Sequence, residues 1–203
     1  MKASNVVIVT GGSKGLGMGF VERLLSEGHR VHTYSRTESD FIKKMVASYP
    51  KMFSWKAVDG SQFDEVEAFI KGVFEKEGKI DALVNNAGMA VDGVLTLMKP
   101  EDISSLLTLN LESCIRAARI CSKGLARELG GRGIRVNSVA PGYLETEMSS
   151  KLSDAQRTQI IRRTPLGRLG KVDDITGIIL FLLSEGSQFI TGQTLVIDGG
   201  ITC

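Results

Sequence analysis

Histidine is nearly missing from this chain. His29 and His32 are the only two in 203 residues, with no thiol close by in sequence and Glu27 the one carboxylate within a few residues. The three cysteines, Cys114, Cys121 and Cys203, are odd in number and lack the short paired spacing of metal ligands. These shortages exclude a metal site and a disulfide framework, and leave the thiols as small apolar residues of a reducing compartment. Charge of one sign is also missing. Lys and Arg total 25 against 23 Asp and Glu, a formal net charge of +2, and the cations are interspersed with acids instead of gathered in a tail. No footprint for nucleic acid follows from that pattern. The longest strongly apolar run, Ile178 to Leu183, is far too short to span a bilayer, and Met1 to Thr10 has no signal-peptide pattern. The expectation is a cytoplasmic protein without membrane, metal or nucleic-acid partners.

What the chain does have is alternation. Short β-branched runs recur at Val6–Val9, Val31–Tyr34, Phe53–Val58, Ile80–Val84, Ile134–Val139 and Thr194–Ile197. Helical patterns lie between them at 15–27, 38–48, 62–77, 101–129 and 171–184. Apolar strands alternating with helices predict an α/β fold of the Rossmann type, a doubly wound parallel sheet with helices on both faces. With 42% hydrophobic residues over this length, the expectation is one domain spanning 1–203. In such sheets ligands bind beyond the carboxyl ends of the strands, so the residues just after each run matter most.

After the first run comes Thr10-Gly11-Gly12-Ser13-Lys14-Gly15-Leu16-Gly17, then a helical stretch. Glycines at a strand-to-helix turn let the backbone bend sharply and approach a pyrophosphate, which is met by unpaired amides and the positive helix end. The loop lacks the Gly-Lys-Ser/Thr ending of a mononucleotide-binding loop, which argues against a kinase or GTPase. A dinucleotide is the expected ligand. After the second run comes Ser35-Arg36-Thr37, where the adenosine ribose would lie. An acid there suits the free ribose hydroxyls, whereas Arg36, helped by Lys14, suits a 2′-phosphate. NADP(H) is therefore favoured over NAD(H), the alternative being that both are ordinary surface cations. Asp59 follows the third run, and Asn85-Asn86-Ala87-Gly88 follows the fourth.

Thr-Gly-x-x-x-Gly-x-Gly, then Asn-Asn-Ala-Gly, then Pro141-Gly142-Tyr143-Leu144-Glu145-Thr146 together resemble the short-chain dehydrogenase/reductase family. Further similar segments are Asp92-Gly93-Val94-Leu95, Gly133-Ile134-Arg135-Val136-Asn137, Pro165-Leu166-Gly167-Arg168 and Ile190-Thr191-Gly192-Gln193. Within that family the chain most resembles reductases of 3-oxoacyl groups carried on acyl carrier protein, enzymes of fatty acid synthesis. The resemblance implies that Gly11, Ser13, Lys14, Gly15, Leu16 and Gly17 hold the phosphates and that Asp59 meets the adenine. It implies that Asn86, Ala87 and Gly88 line the riboses, and that Pro141, Gly142 and Thr146 hold the nicotinamide. Taken without the resemblance, Asp59 reads equally as a turn-forming acid and Thr146 as a helix N-cap. A homotetramer is implied as well, and Arg127 and Arg132 read either as cations that steer an acidic carrier protein or, the more common case, as solvated helix-end charges.

The chemistry of that family is where this chain departs from it. Ketone reduction needs a proton donor beside the hydride donor, and in the family a Tyr with a Lys four residues later provides it, with an upstream Ser and an Asn. Asn110 matches the Asn. Tyr34, Tyr49 and Tyr143 are followed four positions on by Glu38, Phe53 and Glu147, so no Tyr-x-x-x-Lys exists. Against the family pattern roughly 40 residues are missing near 121–126, more than a strand with its crossover needs at minimum. Either the protein carries a segment that the 203 residues leave out, or the segment is lost. Intact cofactor motifs favour the first, which predicts one consecutive Cα pair near 121–126 much wider than roughly 3.8 Å. If the loss is real, the apolar spacing of Leu107, Leu111, Cys114, Ala118, Cys121, Leu125 and Leu129 predicts one helix running across the junction.

Overall fold

The computed structural model describes residues 4–91, 98–117, 120, 135, 137–147, 149–191 and 193–202. The Asp92–Leu95 segment, the junction near 121–126 with its expected gap, Arg127, Arg132, Ile134, Cys121 and Cys203 lie outside them. Two compact units are present, Met1–Leu129 and Gly130–Cys203.

The first unit holds a four-stranded parallel sheet in the order β3-β2-β1-β4. Its strands are β1 (Val6–Thr10), β2 (Arg30–Ser35), β3 (Phe53–Ala57) and β4 (Ala82–Val84). Every residue of β1 is buried, as a strand with a neighbour on each side and helices on each face requires. On one face Val6, Ile8 and Tyr34 pack against Val66, Phe69, Ile70 and Val73 of α3 (Phe63–Glu77), with Tyr34 and Phe69 edge to face at 5.2 Å. The other helices of this region are α1 (Gly15–Ser26), burying Phe20, Val21, Leu24 and Leu25 at three-to-four spacing, and α2 (Asp40–Ser48), capped by Ser39. Helix α3 stops at Gly78, whose φ of 74° forms the left-handed cap.

The predicted strand at Ile80–Val84 shortens to three residues, and all three are only half-buried. Among the described residues nothing pairs with the side of β4 away from β1.

The helix predicted over 101–129 begins as α4 (Pro100–Leu107) and continues through a π turn at Thr108–Glu112. The wider turn displaces every later position relative to a 3.6-residue repeat. Leu107 and Leu111, which the spacing placed on one apolar stripe, are exposed, while Ser113 and Ala117 are buried.

The second unit has a parallel pair, β5 (Ser138–Pro141) with β6 (Thr194–Ile197), and the helices α5 (Asp154–Arg163) and α6 (Val172–Leu183). Helix α5 has no buried residue and so no apolar stripe to betray it. Its signature is the capping box in which Ser153 and Gln156 satisfy each other's backbone N–H. At the start of α6, Arg168 grips Asp174 with two nitrogens at 2.7 and 2.9 Å, and this holds the Asp174 carboxyl down at about 2. No helix among the described residues is long and apolar enough to cross a membrane.

His32 is a buried mid-strand residue, not a strand-edge one. Its Nδ1 lies 2.6 Å from the Ser54 hydroxyl and its Nε2 3.3 Å from Glu77, which also pairs with Arg30. Burial lowers its pKa below the ordinary 6.5, outweighing the attraction of Glu77, with Lys76 and Arg30 pushing the same way. A histidine that folds neutral stabilises fully above its unfolded pKa, and that stability is lost as pH falls below it. The expected result is a denaturation midpoint that drops as pH falls from 6.5, with a shallower drop in H32Q. Equal slopes in the two proteins would refute this role for His32.

A candidate dinucleotide site in the first unit

The site is assembled from the loops that follow β1, β2, β3 and β4. Gly11 turns with φ +70°, and its missing side chain lets Ala87 pack directly on it; a Cβ there would lie 2.9 Å from the Ala87 Cα. Gly12 donates its N–H to the Thr33 hydroxyl at 3.0 Å, and that hydroxyl donates to the Val9 carbonyl at 2.6 Å. The glycine loop is thus buttressed from beneath by β2. Gly15, at φ +55°, opens α1, whose N-cap Lys14 makes no side-chain cap and whose first turn holds no acid. The positive end of α1 is therefore offered to an external anion, which is what a pyrophosphate needs.

Two backbone carbonyls and one hydroxyl join the β4 loop to the β1 loop. The Thr10 hydroxyl accepts from Asn86 N–H at 2.9 Å and from Ala87 N–H at 2.8 Å, while the Asn86 side-chain amide donates to the carbonyls of Thr10 and Gly11 at 3.0 and 3.2 Å. The Asn86 amide nitrogen thus holds the glycine loop closed. This use of Thr10 and Asn86 was invisible in the sequence, because it depends on the pairing of Val9 with Val84. Asn110 sits in the π turn and clamps residue 89, accepting from Met89 N–H and donating to Met89 O, both at 2.8 Å. Gly88 passes beneath it, with room for no larger residue unless Asn110 gives way. The β2 loop is joined to the glycine loop by Ser39, whose hydroxyl donates to the Ser13 carbonyl at 3.0 Å. Arg36, on that loop, is exposed. Asp59 accepts from the backbone N–H and the hydroxyl of Ser61 at 2.9 and 2.8 Å. The backbone bond is the main cause of its lowered pKa, with the hydroxyl and the charge of Arg36 adding to it. The structure thus brings Gly11, Ser13, Lys14, Gly15, Leu16, Gly17, Arg36, Asp59, Asn86, Ala87, Gly88 and Asn110 into the first unit.

Pro141, Gly142 and Thr146 belong to the second unit. Gly142 closes the end of β5, donating to Ile197 O at 3.0 Å, and a Cβ on it would lie 2.7 Å from Asp198. Thr146 turns the chain into a short 3-10 helix, its carbonyl accepting from Ser149 and Ser150. Among the described residues no group of three or more His, Cys, Asp or Glu side chains is placed to hold a metal ion.

A parallel sheet in this order, with a glycine turn at an uncapped helix start, defines a dinucleotide-binding α/β protein. Comparison with known proteins makes the class specific. Residues 5–125 match the family described as short chain dehydrogenase, and residues 117–202 match the one described as Enoyl-(Acyl carrier protein) reductase. The 3-oxoacyl-[acyl-carrier-protein] reductase FabG of Chlamydia pneumoniae is 33% identical, covering 97% of this chain and 96% of its own. The protein of the same name from Escherichia coli is 31% identical over the same shares. The chain belongs to the short-chain dehydrogenase/reductase family of oxidoreductases, which work with a nicotinamide cofactor. Among solved structures, a short-chain dehydrogenase/reductase from Serratia marcescens superposes with a TM-score of 0.89 at 25% identity, covering 98% of each chain. ElxO with NADP bound gives 0.85 at 26%, covering 98% and 99%. The span aligned with the Chlamydia protein runs to 238 positions, longer than the 203 residues here, so part of that span has no counterpart in this chain.

Proposed function

We propose that the protein is an NADP(H)-binding reductase framework whose substrate class is the 3-oxoacyl thioester of acyl carrier protein, reduced to the 3-hydroxyacyl product. One observation carries the cofactor half: an uncapped α1 start, closed in by Thr10 and Asn86, beside a loop that carries Arg36. The nicotinamide, when bound, supplies the hydride. The chain's own residues hold the phosphates at Gly11 to Gly17, meet the 2′-phosphate with Arg36, meet the adenine with Asp59 and line the riboses at Asn86, Ala87 and Gly88. For the nicotinamide end, the family resemblance points to Pro141, Gly142 and Thr146. Similarity to proteins named as 3-oxoacyl-[acyl-carrier-protein] reductases supports the substrate half. A cytoplasmic homotetramer is part of the same reading.

A second reading, cofactor binding without turnover, is favoured by a specific observation, the absence of any Tyr followed four residues later by Lys. The two readings meet in one experiment. Inserting after Gly124 a segment of the family pattern that contains Tyr-x-x-x-Lys supplies a proton donor, and the chimera is expected to oxidise NADPH with acetoacetyl thioester. Activity only on other small ketones or alcohols would overturn the substrate class.

A further inference from the structure

The chain has a single tryptophan, Trp55, on the outer strand β3 of the first unit. Its register partner is Thr33, while Ser35 pairs with Ala57, so Trp55 and Ser35 are diagonal neighbours on the same face of the sheet. The indole N–H donates to the Ser35 hydroxyl at 2.8 Å, and that hydroxyl donates to the Thr37 carbonyl at 3.0 Å. Between Ser35 and Thr37 lies Arg36, in a stretch beyond the last ladder bond of β2.

An indole N–H is a donor and never an acceptor, whereas a serine hydroxyl is both and rotates freely. With Trp55 occupying one lone pair, the Ser35 proton must point elsewhere, and the Thr37 carbonyl receives it. We propose that Trp55 is a positioning residue for cofactor selectivity: through Ser35 it holds the turn at Thr37 in the shape that presents Arg36 to the adenosine 2′-phosphate. Parallel hydroxyl relays stand at Thr33 under Gly12 and at Ser39 under Ser13, so the same device recurs at the glycine loop. Asp59, whose carboxyl feels the Arg36 charge, is the competing partner for that guanidinium once the turn loosens.

The inference rests on the NADP(H) reading above, and its test separates the two. Isothermal titration calorimetry of the full chain measures NADPH and NADH affinities for wild type, W55F, S35A and the double variant, beside their thermal midpoints. Phe keeps an aromatic ring on the strand but loses the N–H together with the smaller ring of the indole, whereas S35A removes the acceptor and leaves the indole whole. A lost neutral hydrogen bond predicts NADPH binding roughly five- to tenfold weaker in W55F, with NADH affinity within about twofold. S35A is expected to match it, and the double variant to be no worse than either single one. Equal weakening of both cofactors, additive losses, or an unchanged NADPH affinity would each overturn the relay. A wild type that shows no preference for NADPH would overturn the cofactor reading itself, and the relay with it.

Discussion

Replacing Gly17 by Ala is expected to weaken NADPH binding by about 100-fold, roughly 2.7 kcal/mol. Helix propensity alone points the other way, since Ala in place of Gly inside a helix stabilises by about 0.5–1 kcal/mol. Gly17 is buried, though, and a Cβ there would run into the Gly11 carbonyl and the Asn86 side-chain amide. Neither can withdraw cheaply. The carbonyl belongs to the turn proposed to face the phosphates, and the amide holds that carbonyl and the Thr10 carbonyl together. The methyl therefore splays the loop while leaving the α1 face at Phe20, Val21 and Leu24 packed. Calorimetric titration with NADPH alongside far-UV circular dichroism checks this. Affinity within about threefold of wild type would mean that the loop is not the phosphate site.

Thr10→Val should cost stability more than any conservative exchange on the surface. Thr10 is 2% exposed, and its hydroxyl is the acceptor for two backbone N–H groups, those of Asn86 and Ala87. Valine keeps the β-branched shape that β1 requires and leaves both donors unpaired. At about 1–3 kcal/mol for each orphaned group, the expected loss is about 2–6 kcal/mol, with β4 the first element to loosen. For a chain of this size each kcal/mol shifts the thermal midpoint by about 2–4 °C, so a drop of roughly 4–24 °C is expected. Thr10→Ser retains the oxygen and is expected to recover most of it. A valine variant melting with wild type would show that these two bonds carry no weight.

The alternation of apolar runs and the glycine turn made the first unit readable from residues alone, because β1 and the α1 stripe depend only on local periodicity and burial. Arg36 and Asp59 were found by position after their strands. Three features escaped that reading for distinct physical reasons. The α5 helix buries nothing, so it leaves no apolar period, and only Ser153 with Gln156 marks its start. The π turn that aims Asn110 at Met89 is a bonding irregularity that no hydropathy pattern encodes. Thr10 and Asn86 clamp each other's loops through contacts that exist only once β4 has paired with β1. The resemblance assigned Asn86 to the riboses, and the geometry gives its amide nitrogen a further task in closing the glycine loop.

The sequence contains no Tyr followed four residues later by Lys. The residues proposed to hold the phosphates and adenosine lie in the first unit, in a chain proposed to bind the cofactor without turning over. The measurement that tests this most directly is a titration of the 203-residue protein with NADPH and NADH, followed by addition of acetoacetyl thioester while NADPH absorbance is recorded. Saturable binding, tighter for NADPH, with no oxidation of NADPH is the predicted result. Failure to bind NADPH, or turnover at the roughly 1–10³ per second usual for enzymes, would contradict it.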